Sequence, residues 1–358
     1  MENNPEISVI LPCRNEEKAL LFCLQQIKKT IADNGLSAEI IVSDSSSDQS
    51  PEIAKKENII LLKHDKEGYG QAYLEAFKIA RGKYIFMADA DGTYDFNEIP
   101  GFIKYLNQGY DFVLGNRFAG KMEEGAMPFL NKRLGNPVLS SILRLFFFTK
   151  IIDTQSGMRA IKKDSLKKLK LQTAGMEFAS EMIIKAIKNN FKIKEAPINY
   201  YKRKGQSKLR PFSDAWKHMR FMLLYSPLFL FFIPGLALFS TGFMLMFWPG
   251  LSNQKFFLPA LMAITGYQLI VFSMFAKTYS IAHLKEQSPI MDKLYKYITI
   301  EKASALGIII AISGIVFYFL APELNEIKNS IVALTLITIG VQTIFSSFML
   351  SILGIKNK

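Results

Sequence analysis

The stretch Tyr84-Ile85-Phe86-Met87-Ala88-Asp89-Ala90-Asp91-Gly92-Thr93-Tyr94-Asp95 decides how the rest of the chain is read. Its opening residues, largely apolar, have the composition of a buried strand, and that strand ends by delivering two carboxylates, Asp89 and Asp91. Acids one residue apart repel each other unless a cation or a ring of donors sits between them, and a divalent metal holding a diphosphate supplies that. The pair is therefore a candidate metal site. An Asp-Gly turn closing a strand has the same composition, so the neighbouring segments must decide.

Upstream, Ile7 to Leu11 is an apolar run followed by Pro12-Cys13-Arg14-Asn15-Glu16 and by a helical pattern from Glu17 to about Asn34, stopped by Gly35. A second buried strand, Ile40 to Ser43, closes on Asp44-Ser45-Ser46-Ser47-Asp48 before a short helix from Ser50. Ile59 to Leu62 is a third, and a helix from Gly68 to Arg81 leads into Tyr84. Downstream, a helix from Phe96 to Asn107 precedes a strand from Phe112 to Gly115. Asp95-Phe96-Asn97-Glu98 has capping-box spacing, which makes Asp95 a helix cap. Strands alternating with helices predict an α/β domain with a mainly parallel sheet covered on both faces. Ligands of such sheets sit at the carboxyl ends of the strands, and the loops at Pro12, Asp44, Asp89 and Asn116 all fall at that edge.

After Ala119 the alternation stops. Lys121 to Lys132, rich in Gly, Met, Pro and charge, reads as a mobile loop, and Val138 to Phe148, apolar but carrying Arg144, as part of an interfacial helix over 137–148. From Lys202 to Arg220 there are seven Lys or Arg against one acid, Asp214, which predicts an amphipathic juxtamembrane helix over 211–226. Four uncharged apolar stretches follow, Phe221 to Gln254, Phe256 to Ala276, Ala303 to Pro322 and Ser330 to Ile355. Each holds the roughly 20 residues that cross a bilayer as a helix, giving a four-helix transmembrane domain over 227–355. Two of the joining loops hold only Lys255 and Lys328, whereas the middle loop holds Lys285, Lys293, Lys296 and Lys302 and the tail Lys356 and Lys358. By the positive-inside rule both termini and the domain over 1–210 are cytoplasmic.

Composition agrees. A chain of 358 residues exceeds one ordinary core. Its net charge of +13 thickens just before the apolar half, where anionic lipid or lipid phosphate is a better partner than nucleic acid. Two cysteines, Cys13 and Cys23, and three histidines make neither a disulfide framework nor a zinc site. The polar, acidic start, Met1 to Glu6, predicts no cleaved signal peptide.

Taken together, these blocks resemble family-2 glycosyltransferases of GT-A, Rossmann-like fold. The likeness is to the polyprenyl-phosphate glycosyltransferase group, which includes dolichyl-phosphate mannose synthases and undecaprenyl-phosphate glucosyltransferases. It runs from about Ile7 to Arg210 in several ordered blocks. Pro12-Cys13-Arg14-Asn15-Glu16 matches the family's Pro-x-x-Asn-Glu turn and implies that Pro12, Asn15 and Glu16 line the donor nucleotide. Asp44 and Asp48 match the acids of its Val-Asp-Asp-Gly-Ser-x-Asp block, although Ser43 and Ser45 replace its first Asp and its Gly, so base binding carries over onto Asp44 alone. Asp89-Ala90-Asp91 matches the Asp-x-Asp that binds Mg2+ or Mn2+ and the donor diphosphate. Some mannose synthases complete that site with a Gln where this chain has Thr93. Gly115-Asn116-Arg117 resembles the family's Gly-Ser-Arg turn, whose arginine faces the acceptor phosphate and would act in catalysis. Asp153-Thr154-Gln155-Ser156-Gly157-Met158-Arg159 resembles its Asp-x-Gln-Cys-Gly-Phe-Arg block near the sugar. The resemblance also assigns Gly70 and Gln155 to the donor. Arg203-Lys204-Gly205-Gln206-Ser207-Lys208-Leu209 is close to its Arg-x-x-Gly-x-Ser-Lys-Leu, so that Arg117, Lys132, Arg133, Arg203, Ser207 and Lys208 are candidates for the acceptor phosphate.

The resemblance implies transfer of one hexose, from UDP-glucose or GDP-mannose, to an undecaprenyl or dolichyl phosphate, and leaves a homo-oligomer open. Two other readings remain at this stage. A processive polysaccharide synthase shares the paired acids but usually carries a Gln-x-x-Arg-Trp block, which this chain lacks. A non-catalytic component of lipid-linked sugar transport usually needs ionisable residues within its spans, where this chain has only Lys277, near an end.

Overall fold

The computed structural model describes residues 4–205, 211–248, 250–283, 299–320 and 326–354. It divides into two compact units, Met1–Met222 and Leu223–Lys358.

The first unit is built on a seven-stranded sheet, β1 (Ile7–Cys13), β2 (Ala38–Asp44), β3 (Ile60–Lys63), β4 (Tyr84–Met87), β5 (Phe112–Asn116), β6 (Arg159–Lys162) and β7 (Ile193–Pro197), in the order β3-β2-β1-β4-β6-β5-β7. β1 lies between β2 and β4, parallel to both, with Cys13 opposite Asp44 and Ile10 opposite Met87. β1, β2 and β4 therefore end at one edge, as the alternating pattern requires. β6 runs antiparallel to both its neighbours, β4 and β5. The sequence pattern does not announce β6 or β7. Arg159-Ala-Ile-Lys162 has too few apolar side chains to show a period, and β7 is a mostly half-buried edge strand.

Helices cover both faces. On α1 (Glu17–Asp33) Leu20, Cys23, Leu24 and Ile27 recur at the three- and four-residue spacing of one helix face and are buried in the core. On α4 (Ile99–Asn107) Phe102 meets Phe86 of β4 edge to face, ring centroids 5.4 Å apart. Asp95 caps the turn entering α4, its Oδ1 accepting from the Asn97 amide at 3.0 Å. The free cysteines Cys13 and Cys23 are buried, and desolvation pushes each thiol up to about 12, so neither is reactive. α2 (Ser50–Lys56) and α3 (Tyr69–Ile79) complete the first half of the domain, and α5 (Asn136–Phe147), α6 (Lys163–Leu169) and α7 (Phe178–Lys188) the second.

α5 follows a π-helical turn, Asn131–Gly135. Around it Phe129, Leu130, Leu134, Val138, Leu145 and Phe148 are exposed, on a unit whose other large apolar residues are mostly inside. The 121–132 loop, expected to be mobile, is tied at its root, where the Tyr200 amide donates to Lys121 O and the Glu123 amide to Tyr200 O, each at 2.9 Å. Along α8 (Pro211–Tyr225) His218 packs inward, its Nδ1 2.8 Å from Ser180 Oγ, while Trp216 points outward.

The second unit is helical. Apolar helices at Leu228–Met246, Phe257–Ala282, Ile300–Leu320 and Ile327–Leu353 are each long enough to cross a bilayer. They comprise α9 (Ile233–Met246) with the π-turn before it, α10 (Phe257–His283), α11 (Ile300–Leu320) and α12 (Glu326–Leu353). Glycine sets their approach. A Cβ on Gly242 would lie 2.6 Å from the Ala263 amide nitrogen, and one on Gly340 would lie 2.5 Å from that of Ala311. Backbones this close are the usual way helices associate where no water drives them together. Pro234 follows closely on the π-turn Leu228–Phe232, in the first turn of α9.

Candidate active site

The loop after β1 turns on Asn15, whose φ of 55° is left-handed, a conformation Asn tolerates better than most residues. The turn lets it stitch two loops together. Its amide donates to Ser46 Oγ at 2.7 Å, and its Oδ1 accepts from the Ser47 amide at 2.8 Å. Pro12, half-buried in β1, sits beside Ser43 of β2. Asp44, at the end of β2, is fully buried and neither carboxylate oxygen has a hydrogen-bond partner. A buried acceptor left so is costly unless a donor reaches it.

Beyond β4 the acid pair lies among aromatic rings. Tyr69 donates to Asp89, and the Tyr94 hydroxyl accepts from the Gly157 amide at 2.7 Å. A Cβ on Gly157 would stand 2.6 Å from Asp89 Oδ2, so glycine is needed there for the acid to keep its place. Burial, and then the charge of Asp91, push the Asp89 carboxyl well above the usual carboxylate range. Asp91 is held from two sides. Its Oδ1 accepts from the Thr93 amide at 3.0 Å and from Thr93 Oγ1 at 2.6 Å, and its Oδ2 accepts from Arg203 Nη1 at 2.9 Å. Thr93 thus orients Asp91 with its hydroxyl. Arg203 Nη2 donates to Glu16, closing an acid–arginine–acid bridge from the β1 loop to the β4 loop.

Arg117, next along the edge, is almost completely closed off. Its Nε and Nη2 grip the two oxygens of the buried Asp153 at 2.7 and 2.8 Å, its amide adds a third bond at 3.0 Å, and its guanidinium lies 5.3 Å from the Tyr200 ring centroid. Its charge still reaches Asp89 and works against that acid's upward shift. Arg159, also buried, donates to the carbonyls of Ser156, Ala179 and Thr154 and so shapes the 153–159 loop from within. Gln155, half-buried on that loop, donates to Thr154 Oγ1 at 3.0 Å.

The expected residues therefore do not form a single cluster. Glu16, Asp89, Asp91, Arg117 and Arg203 share one electrostatic neighbourhood. Gly70 packs against an irregular backbone segment, where a Cβ would meet Thr173 O at 2.2 Å. The carboxylate of Glu181 fixes that segment by accepting from the Gln172 and Thr173 amides. Lys132 and Arg133 are exposed on the π-turn before α5, and Ser207 and Lys208 lie outside the described residues. Tyr69, Tyr94 and Tyr200, with no place among the sequence candidates, also line the site, and Asp153, a member of the 153–159 block, is the partner of Arg117. Tyr94 and Tyr200 each lie three residues from a motif residue, Asp91 and Arg203, whereas Tyr69 had only the neighbouring Gly70 to mark it. Among the described residues no group of three or more His, Cys, Asp or Glu is placed to hold a metal by itself.

Residues 8–170 match the family model described as glycosyl transferase family 2, and residues 274–354 match the family 2 C-terminal transmembrane region. The chain is 34% identical, over 98% of its own length and 89% of the relative's, to a low-salt glycan biosynthesis hexosyltransferase of Haloferax volcanii, Agl6. It is 32% identical, over 58% of its length and 88% of the relative's, to a dolichyl-phosphate hexose transferase of the same organism. In fold it is similar to glucosyl-3-phosphoglycerate synthase from Mycobacterium tuberculosis, solved with Mn2+, UDP-glucose and phosphoglyceric acid, with a TM-score of 0.51 and 17% identity over 62% of this chain and 80% of that one. With its four apolar helices the protein is an integral membrane enzyme, and the chain belongs to glycosyltransferase family 2.

Proposed function

We propose that this enzyme moves a single hexose from a nucleoside-diphosphate sugar to a polyprenyl phosphate, with inversion at the anomeric carbon. The observation that carries the reading is the acid pair at the end of β4, pressed together with Arg203 and within the field of Arg117. Two hard carboxylates, one of them driven towards its neutral form by burial and then by the charge of the other, are a donor set that a single divalent cation relieves. Asp89 and Asp91 would hold Mg2+ or Mn2+, with donor phosphate oxygens and water completing the shell. Bound there, the metal supplies Lewis-acid neutralisation of the charge left on the nucleoside diphosphate. Asp44, an orphaned buried acceptor, suits the N–H edge of a nucleobase, and Pro12 and Asn15 would wall the nucleotide.

The acceptor needs no base. A phosphate monoester has a second pKa of roughly 6 and is largely dianionic at neutral pH, so the protein has only to hold the anion and exclude water. Forked guanidinium groups suit that task. The exposed Lys132 and Arg133 stand beside the bare apolar side chains Phe129, Leu130 and Leu134. Apolar groups in the headgroup layer with cations at lipid phosphate would seat 137–148 at the membrane interface. The proposal extends to Ser207 and Lys208, to a catalytic domain over 1–210 joined by the 211–226 helix to the spans over 227–355, and to a cytoplasmic site and termini. The test is purified full-length enzyme with Mn2+ or Mg2+, polyprenyl phosphate and a panel of UDP- and GDP-hexoses, read by product mass. A mass equal to lipid phosphate plus one hexose is expected. Polymer growth, or turnover of an unphosphorylated polyprenol in preference, would reject the reading.

A further inference from the structure

Arg203, expected at the acceptor phosphate, lies instead between acids of the donor side. Its Nη1 donates to Asp91 Oδ2 at 2.9 Å and its Nη2 to Glu16 Oε1. The backbone brings it there. The Tyr201 amide donates to Thr93 O and the Lys204 amide to Asp91 O, each at 2.9 Å, so the 201–204 segment is strapped across the turn carrying the acid pair. Lys204 secures the strap, its ammonium 3.2 Å above the Phe22 ring of α1.

Two features make the bridge exchangeable. First, Arg203 Nε is buried with no hydrogen-bond partner, so the guanidinium is held by charge but incompletely satisfied. Second, Thr93 already bonds Asp91 Oδ1 twice, and the remaining oxygen, Oδ2, is the one Arg203 holds. A divalent ion held by Asp91 Oδ2 would lie close to the guanidinium that donates to the same oxygen, and like charges at that range repel strongly. The two cations would compete for one acid.

We propose that Arg203 is a built-in counter-cation that a metal-bound nucleoside diphosphate displaces from Asp91, and that the displaced guanidinium then grips the acceptor phosphate, so that the donor binds before the lipid. The hand-over to phosphate rests on the transfer reading above; the competition for Asp91 does not. Arg203 is in this sense a positioning residue whose partner changes with the stage of the reaction.

The experiment has two arms on full-length protein in detergent. In the first, Mn2+ alone is titrated calorimetrically into wild type, Arg203→Gln and Arg203→Lys. Arg203→Gln should bind Mn2+ about tenfold more tightly, the scale of one charge pair removed. Arg203→Lys, reaching one acid at a time, should fall between. Unchanged or weaker Mn2+ binding in whichever variant retains the wild-type melting profile overturns the competition. In the second, farnesyl phosphate binding to wild type is measured with and without Mn2+ plus UDP or GDP. Affinity should rise several-fold with metal and nucleotide in wild type and stay flat in Arg203→Gln. Equal affinity with and without them in wild type overturns the hand-over. A failed transfer assay beside a tighter Arg203→Gln titration would reject the acceptor reading and leave the competition standing.

Discussion

Two arginines serve the same edge of the sheet in opposite ways. Arg117, at the end of β5, meets both oxygens of one buried acid, adds its own amide to the bond, and leaves its side chain 7% exposed. Arg203 divides its charge between two acids on different loops, keeps one buried N–H unpaired and is 21% exposed. A guanidinium matched to one carboxylate is a closed unit, and removing either partner strands a buried charge. One stretched across two acids is open to exchange. If the bridge exchanges as proposed, the β5 side of the site stays fixed while the β1–β4 side changes partners.

The largest effect should come from the acid both cations want. Asp91→Ala removes a metal ligand and one anchor of Arg203, and should lower transfer by at least a thousandfold, the several kcal/mol attributed to a lost Lewis acid. Membrane insertion and the melting profile should hold. A variant that still transfers hexose at the wild-type rate would dissolve the distinction between the two sides, because the exchanging side would then have nothing to exchange.

Next comes the closed pair. Arg117→Ala and Asp153→Asn should each cost about 3–5 kcal/mol of stability, the penalty for leaving one partner of a buried ion pair unmatched. The double variant should lose less than the sum. Arg203→Ala, whose guanidinium is the more exposed of the two, should lower the denaturation midpoint less than either. Midpoints that fall equally for Arg117 and Arg203 variants would make the two arginines alike. If Arg117 also faces the acceptor, a tolerated variant such as Arg117→Lys should raise the lipid-phosphate requirement more than the donor requirement.

A subtler probe is Gly157→Ala. Its new methyl would stand 2.6 Å from Asp89 Oδ2 and must push the acid aside. Mn2+ affinity should fall by about tenfold, one charge interaction's worth, with little change in melting, since the neighbouring Tyr94 bond is to the backbone amide. An affinity equal to wild type would mean that Asp89 is free to move, contrary to a packed pocket.

How much of this was legible in the sequence follows from what encodes each part. The apolar runs of β1, β2 and β4 carry a local period, so the sheet edge and its acids could be read directly. The membrane helices were legible for the same reason, length and composition being local properties. β6 was not, because four residues with Arg159 at their head show no pattern. Arg117 with Asp153 and Arg203 with Glu16 join residues 36 and 187 apart in the chain, and nothing local announces such pairs. Resemblance put Arg203 at the lipid phosphate, whereas the fold holds its guanidinium between Asp91 and Glu16. Gly70 illustrates the converse: a glycine assigned to the donor is required, in the fold, by the carbonyl of Thr173 beside it.

The smallest effect concerns pH. Burial and the neighbouring Asp91 hold the Asp89 carboxyl above its ordinary range. A carboxyl raised in the folded state favours folding while it stays protonated, and that contribution is lost as pH rises from the ordinary carboxylate range through the raised value. Without added metal, then, the enzyme should melt progressively earlier as pH rises through that window. Mn2+ opposes the loss by binding the ionised pair, and protons compete with it at the acid end. The gain in melting temperature on adding Mn2+ should therefore be larger at pH 8 than at pH 5, by a few degrees, as each kcal/mol shifts Tm by about 2–4 °C in a domain of this size. Because Arg203 shares the charge of Asp91, Arg203→Gln should widen that difference, the ionised pair losing its only resident counter-cation from the 201–204 strap. A gain independent of pH in both proteins would place the metal elsewhere than on Asp89.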